Sequence, residues 1–367
     1  MSIISRLERN AKKINIISRI KSNRWEPYSR LMIKSDGGNW SLDWDAKELS
    51  KVWRSQGVKI IENKYENITK HQSIFFTSRY DVLLNWEKSH HRIAFPYYHG
   101  DPSTNIEFKA VFDSLSAHHE HIHRVQVTNT LMEEKIINTG INFNKVFRIP
   151  IGINLDYFKW TLPRLRQEAR AKLGIPKSAV VIGSFQKDGN GWGEGLEPKL
   201  IKGPDIFLRT VEILKPQVPE LFVLLTGPAR GYVKQGLRKL GVPYLHKFLN
   251  DYTEIGRYYN ALDLYIVSSR EEGGPKAVLE SMASGIPLVT TRVGQAMDLV
   301  KHGNNGWMVE PEDAEGLAHW AKYVIDNSSS IIDVLTKGKN MARENSYPAQ
   351  IPLWRVFMTG FIEFSDC

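Results

Sequence analysis

The sequence predicts an α/β protein of two doubly wound domains, and three observations predict it. Apolar runs of strand length alternate with helix-length stretches in two successive series. At 367 residues and 42% hydrophobic, the chain is long enough to bury two separate cores. The run SSREEGGPKAVLESMASG, residues 268–285, follows a short apolar strand with a glycine turn and then a helix.

Taken in order, the first series opens with Leu31-Met32-Ile33 as a strand, Asp36-Gly37-Gly38-Asn39 as a turn and 42–56 as a helix stopped by Gly57, and 58–61 completes a βαβ unit. Strand-like runs follow at 74–76, 93–97, 125–127 and 146–149. The boundary falls near 155–163. A second series comprises strand 180–182, helix 205–214, strand 221–225, helix 232–240, strand 244–248 and strand 262–267. Pro275 suits the first position of the helix that follows, where a missing N–H costs nothing.

Composition limits what the chain can do. No run of about eighteen apolar residues exists to span a bilayer. The start carries charges throughout and lacks the apolar stretch of a signal peptide, and the one cysteine, Cys367, excludes disulfides within a chain, so a cytoplasmic setting is expected. The net charge of +9 calls for an anionic partner. Ile3, Ile4, Leu7, Ala11, Ile14 and Ile17 recur at helical spacing, with Arg6, Arg9, Lys12, Lys13 and Arg19 largely off that face. Such a basic amphipathic segment, residues 1–25, lies on an anionic membrane surface or packs on its own domain. Nucleic acid is not expected as a partner, because the basic residues are not interleaved with aromatic ones into a stacking platform.

The chemistry concentrates in 268–285. The amides of Gly273, Gly274 and Lys276 around Pro275, with the positive end of the helix dipole, make a site for a phosphate or diphosphate. Glu272 stands at its mouth, and Glu280, with seven residues between, can accept sugar or ribose hydroxyls in charge-assisted bonds. Read alone, two such glutamates are as readily solvated helix carboxylates. Two other patterns point elsewhere: Asp43-Trp44-Asp45 has a D-x-D form but falls in the first turn of a helix, where acidic residues suit the dipole. His118, His119, His121 and His123 lack a carboxylate or cysteine at zinc spacing, so no metal site is expected.

Glu272 and Glu280 with their Gly-Gly-Pro turn resemble the E-x7-E signature of retaining GT-B glycosyltransferases of family 4. Ile286-Pro287-Leu288-Val289-Thr290-Thr291-Arg292-Val293-Gly294 resembles the strand and glycine that follow it there, Asn305-Gly306-Trp307-Met308-Val309 the later NG turn, and Arg148 to Asn154 with Phe158 the segment joining the two domains. These landmarks stand in the family's order. The resemblance implies the GT-B architecture, two Rossmann-like domains facing across a cleft: a basic extension 1–30, an acceptor domain 31–158 to which a last helix, about 351–364 within 349–367, crosses back, and a donor domain 159–348.

It also implies roles. Lys202, followed by Gly203, is similar to the lysine that binds the donor diphosphate; a lysine about 4 Å from a phosphate oxygen is worth about 4 kcal/mol at an effective dielectric near 20. Gly37 and Gly38 would let the backbone approach the diphosphate, and His99 resembles the histidine near the donor sugar. Two departures stand out. The arginine that usually follows the glycine of the first strand is replaced after Gly183 by Ser184, leaving Lys187, Lys199 or Arg230 to substitute, and the usual E-G-F-G turn has become Glu272-Gly273-Gly274-Pro275. The insertion 188–195 reads as a lid or as a flexible surface loop.

The implied activity is retaining transfer of a sugar from a nucleotide-sugar to a glycan or lipid-linked acceptor, without metal or other cofactor, in surface polysaccharide (lipopolysaccharide or capsule) assembly, on the inner face of the cytoplasmic membrane if the basic start docks there. A silent nucleotide-sugar-binding partner, a sugar-nucleotide epimerase or a phosphorylase on a similar scaffold are the alternatives.

Overall fold

The structure is a computed structural model that describes residues 28–34, 41–61, 72–78 and 90–363. The basic segment 1–25, the turn carrying Gly37 and Gly38, and Cys367 lie outside the described residues. The chain divides into two compact units, one of residues Met1–Ile151 with Tyr347–Cys367 and the other of Gly152–Ser346.

In the first unit the order is β1 (Arg30–Lys34), α1 (Ser41–Ser55), β2 (Lys59–Ile61), β3 (Ser73–Phe76), β4 (Arg92–Tyr97), α2 (Ile106–His118), β5 (Ile122–Val127), α3 (Thr130–Ile137) and β6 (Val146–Arg148). The strands form one parallel sheet in the order β2-β1-β3-β4-β5-β6. Their centres are almost wholly apolar because a parallel sheet is covered on both faces. Asn105 and Asn129 cap α2 and α3 through their side chains, which is why those helices start where they do.

The second unit runs α4 (Pro163–Leu173), β7 (Val180–Phe185), α5 (Pro204–Leu214), β8 (Leu221–Thr226), α6 (Gly231–Leu240), β9 (Tyr244–Lys247), α7 (Ile255–Tyr259), β10 (Leu264–Val267), α8 (Lys276–Ser284), β11 (Leu288–Thr291), α9 (Ala296–Leu299), β12 (Trp307–Val309), α10 (Ala314–Asp326) and α11 (Ile332–Glu344). Its parallel sheet has the order β12-β11-β10-β7-β8-β9. Helix α4 begins where the boundary expected at 155–163 ends, in a stretch to which the sequence reading assigns no element. Pro163 at its first turn and Gly174 in the left-handed conformation at its end supply the start and stop.

The final helix, α12 (Ile351–Met358), is part of the first unit. Trp354 and Phe357 meet Trp53 and Phe75 edge to face, with ring centroids 5.3 Å apart for Trp53–Trp354 and 6.1 Å for Phe75–Phe357. Such pairs contribute about 0.5–1.5 kcal/mol each beyond area burial. The helix is shorter than the 351–364 expected. Thr359 is extended and Gly360 is left-handed, so the chain reverses and Phe361 returns to the same core. No helix among the described residues is long and apolar enough to cross a membrane.

Candidate functional site

In an open parallel sheet, ligands bind beyond the carboxyl ends of the strands where the strand order reverses. In the second unit that point lies between the neighbours β7 and β10. The loops leaving these strands carry Lys202 and Glu272, and backbone bonds tie them together. The amides of Arg270 and Glu271 both donate to the Ile201 carbonyl, at 2.9 and 3.0 Å. Ser268 Oγ donates to the Gly203 carbonyl at 2.8 Å, and Gln186 Nε2 donates to that of Lys202 at 3.0 Å. Gly203 is required twice over, since its φ is +58° and a Cβ would stand 1.8 Å from the Ser268 carbonyl oxygen.

On this cross-linked base Lys202 Nζ lies 2.5 Å from Glu272 Oε2, while Ser269 Oγ donates to Glu272 Oε1 at 2.9 Å. The side chains of the pair are 18% and 12% exposed, so the charges face each other in a largely desolvated setting. A bound phosphate would compete with Glu272 for the ammonium. The carboxylate could then turn to hydroxyl donors.

Gly273 and Gly274 lead into Pro275, which has ψ 108° and is therefore the extended N-cap of α8, not its first helical residue as expected. Its carbonyl accepts from the Val278 amide, and no side chain caps the helix. The positive end of the dipole thus meets the turn after Glu272 without a carboxylate or hydroxyl cap. Gly294 packs against that turn; a Cβ there would be 2.5 Å from the Gly273 oxygen. Lys276 Nζ stands 5.2 Å from the ring centre of Tyr252.

Glu280, one turn and more into α8, is buried, with Tyr259 Oη donating to its Oε2 at 2.8 Å and Tyr252 Oη donating to its Oε1. Burial and the Glu280 charge both push the Tyr259 hydroxyl well above the ordinary tyrosine range. It stays a donor. Neither tyrosine carries a spacing signal in the sequence.

Arg230 departs from its expected role at the donor. Its side chain is fully buried: Nη1 donates to the carbonyls of Ser184 at 2.6 Å and Thr226 at 2.8 Å, Nη2 donates to Ser184 Oγ at 3.0 Å, and Asp188 Oδ2 lies 2.9 Å from Nη2. The Asp188 contact is a charge pair without hydrogen-bond directionality. Burial pushes the Asp188 carboxyl up against the opposing pull of Arg230. Arg230 therefore fills the place beside Ser184 as an internal strut, with no charge directed to a ligand.

That strut explains the insertion. Asp188 begins it, Gly231 and Tyr232 donate to the carbonyls of Glu194 and Gly195, and Lys199 donates back to Asp188. Gly189 and Gly195 lie on the Ala229 carbonyl so closely that a Cβ on either would be 2.3 or 2.2 Å from it. Of the two sequence readings, lid or flexible loop, the structure has a docked strap. Lys187, at its root, places Nζ 3.9 Å from the ring centre of the exposed Trp192.

In the first unit, His99 follows β4 at the carboxyl end of the sheet, its ring edge-on to Phe108 at 5.8 Å. Gly100 next to it has φ +126°, and a Cβ would meet Phe108 and Tyr97 at 2.7 Å. Asp45 of the D-x-D run accepts from Tyr347 Oη at 2.9 Å inside the core. His123 Nδ1 accepts from the Ile93 amide, and its pKa is lowered to about 4 by burial and by the Lys145 charge. Among the described residues no group of three or more His, Cys, Asp and Glu is placed to hold a metal ion. Thus Lys202, Glu272, Gly273, Gly274, Pro275, Lys276 and Glu280 share one set of elements in the second unit, whereas His99 belongs to the first.

Residues 195–327 match the family described as Glycosyl transferases group 1. The chain is 26% identical over 218 residues to the lipopolysaccharide core biosynthesis mannosyltransferase LpsB of Rhizobium meliloti, covering 56% of this chain and 59% of that one. It is likewise 26% identical over 260 residues to a D-inositol 3-phosphate glycosyltransferase of Corynebacterium aurimucosum, covering 66% of this chain and 59% of the relative. The alignments span less than two thirds of these relatives' length. Among solved structures, HepE of Anabaena in complex with UDP superposes with a TM-score of 0.71 at 17% identity, covering 90% of this chain and 100% of that one. A sucrose-phosphate synthase from Thermosynechococcus elongatus gives 0.71 at 15%, with the same coverage. The fold is GT-B.

Proposed function

We propose that this protein is a retaining glycosyltransferase that moves a sugar from a nucleotide diphosphate donor to a hydroxyl of a glycan or lipid-linked glycan. The observation that carries the proposal is the Lys202–Glu272 pair held at the β7/β10 switch point, beside the N-terminus of α8. Breaking the glycosidic bond to the diphosphate leaves negative charge on the phosphates and positive charge at the anomeric carbon. Lys202 and the α8 dipole stabilise the first, and Glu272 orients the sugar hydroxyls. Glu280 serves the ribose, and Gly273, Gly274 and Lys276 border the diphosphate.

The acceptor attacks on the face the leaving group vacates, with a donor phosphate oxygen taking its proton. This scheme asks for neither a protein nucleophile nor a metal, because the lysine and helix supply the positive charge. The reading is supported by HepE having been solved with UDP and with UDP-glucose, and by the biosynthetic name of LpsB. By the same reasoning we place the protein in surface polysaccharide assembly. The basic segment 1–25 would bring the enzyme to an anionic membrane surface; a form lacking it should then no longer float with anionic liposomes.

The direct test incubates the protein with UDP-, GDP-, ADP- and TDP-sugars and a lipid-linked glycan, without added divalent ion, and follows nucleotide release and the anomeric proton of the product. Transfer with the donor's anomeric configuration kept is expected. An inverted product would refute the retaining assignment, and no transfer from any donor would count against the activity.

A further inference from the structure

Glu280 does not stand open for a ligand hydroxyl. It is 4% exposed and receives two phenol hydroxyls, from Tyr252 and Tyr259, and the two tyrosines are held very differently. Tyr259 is fully buried, stacked on Tyr265 at 5.3 Å between centroids and edge-on to Phe185 at 5.0 Å and Phe158 at 5.9 Å. Moving it would open the hydrophobic core. Tyr252 is only half-buried and starts a single 3-10 turn, Tyr252–Glu254, in the connection between β9 and α7. Its side chain therefore covers Glu280 from the reachable side, and its ring also lies against the ammonium of Lys276 at the start of α8.

We propose that Tyr252 is a placeholder for a ribose hydroxyl. A nucleoside diphosphate enters by exchanging its 2′- or 3′-hydroxyl for the Tyr252 phenol on Glu280 Oε1, while Tyr259 keeps its bond to Oε2. The same movement takes the ring away from Lys276, so recognition of the ribose and placement of positive charge near the diphosphate are one event. No covalent step is involved; one O–H donor replaces another. The inference rests on the donor-site reading above and adds to it a residue that sets selectivity for ribonucleotides: a ligand without ribose hydroxyls cannot displace Tyr252.

The exchange has a sign that a merely structural tyrosine would not give. Wild type must give up a charge-assisted bond to admit the ribose, whereas Tyr252→Phe has none to give up. UDP, GDP, ADP and TDP are titrated calorimetrically into the full chain, and the tightest-binding one is compared with its 2′,3′-dideoxy form in wild type, Tyr252→Phe and Tyr252→Leu. Thermal unfolding without nucleotide confirms that each variant is folded. The expected result is binding of the ribonucleotide about five- to tenfold tighter in Tyr252→Phe, the size of one net hydrogen bond, with dideoxy binding unchanged. Tyr252→Leu should show the same split. Ribonucleotide binding that is unchanged or weaker in a folded Tyr252→Phe overturns the exchange while leaving the donor site standing. Failure of all four diphosphates to bind the wild type overturns the donor site, and the exchange with it.

Discussion

The two units use parallel six-stranded sheets for different ends. In the second, the strand order reads 3-2-1-4-5-6 when numbered within the unit, and the loops at its switch point are bonded to one another through Ile201, Gly203 and Ser268. Charge is brought inward there as Lys202–Glu272, Asp188–Arg230 and the tyrosine-bound Glu280. In the first, buried aromatic rings from α1, β3 and α12 do the equivalent work of fixing the architecture, and ion pairs such as Lys109–Asp113 and Arg92–Glu363 stay near the surface. The difference teaches that most of a fold's fixing can come from apolar packing, with buried charge confined in the first unit to groups such as Asp45, which Tyr347 bonds. A unit that stores desolvated charge at the carboxyl ends of its strands is equipped to bind something charged.

The largest expected effect tests whether that buried charge is structural. Arg230→Met leaves Asp188 buried without its counter-charge and removes the strut between Ser184, Thr226 and the strap, so urea unfolding should show a loss of about 3–5 kcal/mol. A loss near zero would mean that the strap does not depend on the pair. Next, in the proposed function Lys202→Ala would remove leaving-group stabilisation while the loops remain bonded through backbone groups, and turnover should fall by about 10² to 10³-fold, or about 2–4 kcal/mol. Normal turnover with normal folding would move the diphosphate site away from the switch point.

The third contrast is one of pH. His123 of the first unit has its pKa lowered to about 4, so the folded unit keeps it neutral while the unfolded chain takes up a proton near pH 6.5. Its contribution is therefore complete above pH 6.5 and lost as the pH falls through about 4, at most about 3 kcal/mol and less after solvent screening of this half-buried ring. Hydrogen exchange of the β4 and β5 amides should report the loss, and His123→Gln should flatten it. A pH slope that persists in His123→Gln would assign it to other groups. Smallest is Gly174→Ala at the left-handed end of α4, expected to cost about 1 kcal/mol by thermal unfolding. No cost there would show that this helix end tolerates a side chain.

The sequence revealed these units unequally. Strand runs and their punctuation place nearly every strand within a residue or two, because buried parallel strands are continuous apolar runs. Glu272 and Glu280 stand out in the sequence as a pair because they lie on one loop and the helix it opens, whereas Lys202, 70 residues before Glu272, stands out only through the family resemblance. Tyr252 and Tyr259 do not stand out, because the loop and helix that carry them meet Glu280 only through the tertiary fold. Arg230 misled for a physical reason: in sequence, an arginine buried by a partner in another loop looks the same as one facing a ligand. The early end of α12 is visible only in hindsight, in Gly360, since Phe361 continues the apolar pattern past it.

The central claim is that the β7/β10 switch point of the second unit receives a nucleoside diphosphate through Lys202. Thermal unfolding of wild type and Lys202→Ala with UDP, GDP, ADP and TDP, without divalent ion, tests it most directly. Ligand at about a hundred times its dissociation constant should stabilise the fold by about 2.7 kcal/mol. The account predicts such a shift for at least one diphosphate in the wild type and its loss in Lys202→Ala. The same shift in both proteins, or none in the wild type, would contradict it.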